Sequence, residues 1–542
     1  MSGENAFRYH GGDGMNATEI EQFQMSGQDI PWLLAHWAER KPDHPALVWS
    51  PREGEGKTFT YSKLWERVRG IAAGLQAKGI AQGDKVLIHS ENSPEMVLSW
   101  LACSTLGAVG VTTNTKSVGA EMTFFAEQTG AVAAITQPQF AAMVADAAPS
   151  LKWIAVTDDN SGEAASEKVD GFDRFNDLYV GGDAWKGRPV EPMLPHGIMF
   201  TSGTTNRPKA VVHTHANAIW ASRTGPRNID LGTDDTYLIY LPFFHTNAQT
   251  WSFFPVLGVG ATCVLMPKWS QSNFWPNVTK HGVTHISLMP FVTACLASPD
   301  KPKDHTLRVG VFGAIVPELD KMLGIAVYAA FGMTETVTHA VTGKPWEQWP
   351  ARSMGHVTPG YEVAVVDKET GALCAVGETG ELWLRGTRGI QLFLEYYENP
   401  EANEKAFEDG WFKTGDMVMM GEGGNVFYQE RDKDLLKVGG ENVSAREIED
   451  LILAHPAVQS VAVVGKTHDF LGEVVCAFVI KAPGEHDEAA VAEEIIGTCK
   501  EKLATFKVPR AVYYVEKFPT GTLEKILKNK LREMADAEPA VK

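Results

Sequence analysis

The chain has 542 residues, 44% of them hydrophobic, and 49 Lys and Arg against 67 Asp and Glu give a formal net charge of −18. A chain of this length holds more than one structural unit, and its acidic balance argues against a nucleic-acid binder that relies on a general basic field. The six cysteines stand singly in apolar segments with no C-x-x-C pair, so they read as reduced thiols of a cytoplasmic protein.

The first residues are polar and glycine-containing, without the apolar core of a secretory signal, and no run of about 18 apolar residues that could span a membrane occurs. Residues Ile30 to Pro45 carry a helix-like apolar pattern. In Thr60 to Gly79, Leu64, Val68, Ile71 and Leu75 recur at helical spacing, with Thr60 placed to cap the start and Gly79 to close the end. Lys85 to Ile88 reads as a strand and Pro94 to Leu106 as a second helix. Strand-like runs follow at Ala131–Ile135 and Trp153–Val156, and this alternation implies a parallel sheet covered on both faces. The polar, acidic, glycine-rich stretch from Asp158 to Pro192 reads as a surface excursion.

Further strands are expected at Tyr237–Leu241, Ala261–Leu265 and His285–Leu288. From Gly360 the texture becomes β-rich, with half-buried strands at Glu362–Val366 and Gly380–Gly386. Beyond Arg431 comes a helix-like Ser444–Ala454, strands at Val461–Val464 and Cys476–Ile480, and an i, i+4 ladder of Val491, Ile495, Cys499 and Leu503. The expected fold class is therefore α/β. Residues 1–431 would form a large N-terminal domain of parallel-rich αβ sheets with a small β-rich subdomain, and residues 432–542 a small, mobile α+β domain.

The stretch Met199 to Val212 looks like a strand running into a loop that wraps polyphosphate. Thr201, Ser202, Gly203, Thr204 and Thr205 offer hydroxyls and backbone N–H groups, Gly203 permits close approach, and Lys209 supplies an ammonium. The G-x-x-x-x-G-K-[ST] spacing is absent. The string instead resembles the phosphate loop of the acyl-adenylate-forming superfamily, with Asn206 and Ala210 standing where many relatives carry Gly. Further strings carry the resemblance along nearly the whole chain in the expected order: Leu241-Pro242-Phe243-Phe244-His245, Phe331-Gly332-Met333-Thr334-Glu335-Thr336, Trp411 to Asp416, Arg431 to Asp434 with Lys437 to Ser444, and Phe518 to Lys525.

The resemblance implies residue roles. His245 would border the acyl pocket, Phe331 would stack near adenine in place of the usual Tyr, Thr334 would touch the α-phosphate, and Glu335 would help to hold Mg²⁺, a hard cation that carboxylate and phosphate oxygens suit. Asp416 and Arg431 would hold the ribose, two carboxylate oxygens matching a vicinal diol. Lys433 sits at the hinge position. Lys437 and the Gly439-Gly440 pair belong to a loop that lines the pantetheine tunnel after domain rotation. Lys525 would bridge the substrate carboxylate and ATP, although Glu524 replaces the usual Gly beside it.

The implied activity is that of an ATP-dependent acyl-CoA synthetase. A carboxylic acid becomes acyl-AMP with release of pyrophosphate and passes to CoA, with ATP, Mg²⁺ and CoA required. TSGTTNRPK, GGENVS and AHP look most similar to carnitine/crotonobetaine-type and medium-chain acyl-CoA ligases. Trp220, Trp251, Phe253 and Met289 are candidate pocket walls, each equally at home in an ordinary core. A stand-alone adenylation enzyme loading a carrier-protein thiol, a luciferase-like oxygenase and a non-catalytic nucleotide-binding homologue would share the motifs. The expected partners are small molecules, with no nucleic acid and no transmembrane segment, and a homo-oligomer stays open.

Overall fold

The computed structural model describes residues 17–117, 119–164, 169–201, 208–298, 301–347, 349–431, 436–438, 441–443, 445–468, 471–503, 505–520 and 526–539. The chain divides into two compact units, one of residues 1–363 and 384–412, the other of residues 364–383 and 413–542.

In the first unit, strands Val109–Thr112, Lys85–His89, Ala133–Thr136 and Ile154–Val156 lie side by side in parallel, and Pro195–Thr201 extends them on one edge. They are apolar and buried along almost their full length, which suits parallel strands covered on both faces. Lys209–Thr214 adds antiparallel to Pro195–Thr201, and the short Glu395–Tyr396 closes that edge antiparallel to Lys209–Thr214. A second run passes from Ser353–Val357 through Val341–Gly343, Ala326–Phe331, Val309–Phe312, His285–Ser287, Thr236–Ile239, Thr262–Leu265 and Pro45–Trp49 to Lys57–Thr60, parallel in its middle and antiparallel at both ends.

The helix Tyr61–Ala77 starts where Thr60 Oγ1 accepts from Lys63 N, and Gly79 beyond its end adopts φ +85°. Pro94–Leu106 is buried on nearly every side, N-capped by Ser93 and closed by left-handed Gly107. Its Trp100 is fully buried, edge-on to Phe243 and Phe253 of one layer. Toward the other layer it leaves so little room that a Cβ on Gly110 would stand 3.0 Å from Trp100 Cδ1. The glycine in that strand is therefore a packing requirement of the indole.

The stretch from Asp158 to Pro192 departs from the surface excursion expected of it. Phe175 and Leu178 are buried in the main core, and this segment is pressed onto the glycine-bearing face of Tyr61–Ala77. A Cβ on Gly74 would fall 1.7 Å from Leu178 O, and one on Gly70 2.4 Å from the Tyr179 ring.

In the second unit Gly472–Lys481 is the central strand, antiparallel to Val458–His468 and parallel to Ala511–Tyr514, with the hairpin of Leu436–Val438 and Glu441–Val443 beside it. Alternate residues serve two cores. Val461, Val463, Val475 and Ala477 face Ala445–Leu453 and Glu488–Lys502, while Ala462, Val464 and Phe478 meet Leu531 and Ala535 of Lys528–Ala537. The expected ladder holds for Val491, Ile495 and Cys499, which are buried. Leu503 caps the helix end. All six cysteines are free thiols, and among the described residues no helix is long and apolar enough to cross a membrane.

Candidate active site

The strand Ala326–Phe331 ends in Phe331 and gives way to one 3₁₀ turn, Thr334–Thr336, that buries Glu335. Three segments distant in sequence and one bond within the turn itself fix it. Phe393 N donates to Glu335 O at 2.8 Å, His213 Nε2 donates to Thr334 O at 2.8 Å, and Met333 N donates to Thr336 Oγ1 at 2.9 Å. Tyr361 Oη donates to Thr336 O at 2.7 Å. Burial holds His213 down to about 4, so the ring is neutral and keeps one N–H for the carbonyl.

Directly after the turn, Val337 takes φ +63° and ψ −62°, and Thr338 N donates to Thr336 O at 2.6 Å. That is a γ-turn of the strained sense in a β-branched residue, a conformation the surroundings must hold in place. Thr250 Oγ1 and Trp251 Nε1 both donate to Val337 O, the latter at 3.1 Å. Both come from a π-helical turn, Asn247–Phe253, of a kind frequent at functional sites.

The Glu335 side chain meets a residue that the motifs did not single out. Tyr396 Oη donates to Glu335 Oε1 at 2.9 Å, and Lys209 Nζ stands 4.4 Å from the centre of the same phenol ring. Sheet pairing sets Tyr396 opposite Val211, two residues along the strand from Lys209, and the bond from Phe393 N to Glu335 O ties the turn to the segment that carries Tyr396. Burial and the Glu335 carboxylate raise the Tyr396 hydroxyl far above its ordinary range, so it remains a proton donor. Lys209 has no carboxylate partner among the described residues.

His245 lies where Asn92 pins the chain, with Asn92 Nδ2 donating to Leu241 O at 2.9 Å and Phe243 N donating to Asn92 Oδ1 at 2.6 Å. Its ring rests on Phe244, burial lowers it to about 4, and its buried Nε2 has no hydrogen-bond partner among the described residues. A neutral imidazole with an unsatisfied nitrogen is a group that a ligand can complete, unlike the satisfied core histidine that a single His usually is.

In the second unit, Asp416 is buried on Trp411–Met420, directly opposite Arg431 in the antiparallel ladder. Gly415 at φ +74° shapes the approach, its N–H donating to Glu381 Oε1 at 3.0 Å, and Thr414 Oγ1 accepts from Asp416 N at 3.1 Å. Cross-strand pairing thus makes neighbours of the two expected ribose residues.

Residues 34–397 match the AMP-binding enzyme family, and residues 447–525 match the AMP-binding enzyme C-terminal domain. The chain belongs to the AMP-binding enzyme family. It is 32% identical over 527 residues to the crotonobetaine/carnitine–CoA ligase of Salmonella heidelberg (strain SL476), covering 94% of this chain and 99% of that one. Its fold matches an O-succinylbenzoate CoA synthetase from Bacillus subtilis in complex with ATP and magnesium ion at TM-score 0.77 and 27% identity, over 92% of this chain and 98% of the other. An anthranilate CoA ligase in complex with anthranoyl-AMP matches at TM-score 0.81 and 26% identity, over 94% and 97% of the two chains. These relatives make this AMP-binding enzyme an acid–thiol ligase of the acyl-CoA synthetase class.

Within this AMP-binding enzyme, the first unit brings together Thr201, Lys209, Thr334, Glu335 and the unforeseen Tyr396 and His213. Phe331 is half-buried at its strand end. Ser202, Gly203, Thr204, Thr205, Lys433, Gly439, Gly440 and Lys525 lie outside the described residues, while Arg431 and Lys437 are placed on strands by their backbone. Among the described residues no group of three or more His, Cys, Asp or Glu is arranged to hold a metal. Of the four candidate wall residues, equally at home in a core, Phe253 belongs to the main core around Trp100. Trp251 stays close to the site, because a Cβ on Gly332 would stand 2.9 Å from its Cζ2.

Proposed function

We propose that the chain converts a carboxylic acid and ATP into acyl-AMP and pyrophosphate, and then transfers the acyl group to the thiol of CoA with release of AMP. The observation that carries this reading is the buried Glu335 carboxylate held by Tyr396, with the Lys209 ammonium over the face of the same phenol ring. One buried carboxylate suits Mg²⁺, which takes few protein ligands and completes its shell with phosphate oxygens and water. When bound, the ion would neutralise charge on the nucleotide phosphates.

The chain's own groups then divide the work. Lys209 and the hydroxyls of Thr201 to Thr205 hold the phosphates, Thr334 meets the α-phosphate, and Asp416 with Arg431 holds the ribose diol. Bringing a substrate carboxylate to a phosphate sets two anions together, which is costly where water is excluded. Lys525 offsets that cost in the first step. Residues 432–542 turn about Lys433 relative to residues 1–431, removing Lys525 and presenting Lys437, Gly439 and Gly440 to CoA. His245 and Trp251 border the acyl group. An aromatic border suits a medium-chain, branched or aryl acid better than acetate, and the free thiols suit a cytoplasmic location.

A carboxylic-acid panel followed by pyrophosphate release, with and without CoA, tests the reading. Acid-dependent pyrophosphate release with acyl-CoA accumulation is expected. Acyl-AMP that transfers only to a carrier-protein thiol would assign the chain to carrier loading, and no acid-dependent release would make it a non-catalytic homologue.

A further inference from the structure

The helix His215–Asn228 leaves the phosphate-loop hairpin and carries Arg223 and Arg227 one turn apart, both exposed. Their side chains line a cavity of about 610 Å³ together with Trp220, Lys344, Glu347 and Trp349, all within the first unit. Like charges at this spacing destabilise a helix by roughly 0.2–0.5 kcal/mol, so the pair needs an explanation.

The nearby acids are already engaged. Asp230 pairs with Lys344 at 2.9 Å and accepts from Tyr328 Oη at 2.8 Å. Glu347 accepts from Lys344 N at 3.0 Å and from Trp349 Nε1 at 2.7 Å. Among the described residues Arg223 reaches only neutral groups, Gln28 Oε1 and Met25 Sδ, and burial and its neighbour Arg227 lower its affinity for a proton. Arg227 has no hydrogen-bond or ion-pair partner among the described residues. Among the described residues neither guanidinium pairs with a carboxylate, and Arg223, Arg227 and Lys344 outnumber the one carboxylate, Glu347, in the lining, so the concavity carries a local positive excess in a chain whose net charge is −18.

Two forked cations match a dianionic phosphate, whose oxygens accept paired N–H donors. Trp220 and Trp349 also line the cavity, aromatic side chains that suit a flat body, and the volume lies within the ~300–1,000 Å³ of small-molecule sites. We propose that this cavity binds a phosphate monoester of a planar ring, gripped by Arg223 and Arg227 and flanked by Trp220 and Trp349. The site is distinct from Glu335 yet connected to its turn. Trp220 Nε1 donates to Tyr361 Oη at 3.0 Å, and that hydroxyl donates to Thr336 O.

Calorimetric titration of the full chain with phenyl phosphate, inorganic phosphate and phenol tests the proposal. Saturable binding of phenyl phosphate is expected, at least tenfold tighter than either fragment. Arg227→Gln alone should weaken it, and Arg223→Gln with Arg227→Gln should weaken it at least tenfold while acid-dependent pyrophosphate release persists. Glu335→Gln should leave it intact. Equal affinity in the double variant, binding lost in Glu335→Gln, inorganic phosphate binding as tightly as phenyl phosphate, or no saturable binding would each overturn it.

Discussion

Tyr396 Oη donates to Glu335 Oε1 across 2.9 Å, from a ring whose face carries the Lys209 ammonium at 4.4 Å. The phenol thus orients the carboxylate proposed for Mg²⁺ and the cation proposed for phosphate. A hydrogen bond to a charged group contributes about 1.5–3 kcal/mol. Tyr396→Phe keeps the ring under Lys209 and removes only the donor, so kcat/KM for adenylate formation should fall roughly 10- to 150-fold by that arithmetic. The distinguishing readout is Mg²⁺ dependence. The apparent Mg²⁺ requirement should rise in Tyr396→Phe, and an unchanged requirement would count against the orienting role.

Gly74 and Gly79 lie on and just past one helix, yet their substitutions should differ in kind. Replacing a helical Gly by Ala ordinarily stabilises by roughly 0.5–1 kcal/mol. At Gly74 the new Cβ would meet Leu178 O at 1.7 Å, which forces backbone apart, so Gly74→Ala should lower the melting temperature markedly. Gly79→Ala meets open space and costs only the strain of φ +85°, on the order of 1 kcal/mol. Thermal unfolding of the two variants side by side checks the order.

Four buried histidines, His89, His213, His285 and His339, are each held down to about 4, with burial as the leading cause. Their unfolded value lies near 6.5, so below that pH the unfolded chain takes up protons that the folded chain refuses. Stability is therefore full above about pH 6.5 and falls as pH drops toward 4, by up to about 1.4 kcal/mol per pH unit for each group. Denaturant titrations at pH 7, 6 and 5 should show a progressive loss. A flat profile across that range would contradict the buried, neutral assignment.

Much of this is legible in the sequence alone. The helices Tyr61–Ala77 and Pro94–Leu106 follow from apolar spacing and caps, because both signals are local. Glu335 and Asp416 were findable because their neighbours form ordered strings. Tyr396 and His213 were not, since each acts through a partner far away in sequence, 61 positions for Tyr396 and 121 for His213, that only the tertiary fold supplies. Nor did Phe175 and Leu178 declare themselves, as isolated apolar residues in a polar stretch carry no period. Phe253 shows an ambiguity that composition leaves open: an aromatic near a motif suits a pocket wall or a core, and packing around Trp100 decides for the core.

The two half-reactions separate the proposed roles of Lys525 and Lys433. Lys525 is assigned to the first step alone, where two anions meet; once acyl-AMP exists the thiol needs no such cation. Lys525→Ala should therefore abolish pyrophosphate release while thioester formation from supplied acyl-AMP stays largely intact. Lys433→Pro stiffens the hinge, because proline fixes φ, so it should spare adenylate formation and slow the transfer to CoA. Equal loss of both half-reactions in Lys525→Ala would remove that assignment, and normal CoA-dependent turnover in Lys433→Pro would remove the hinge.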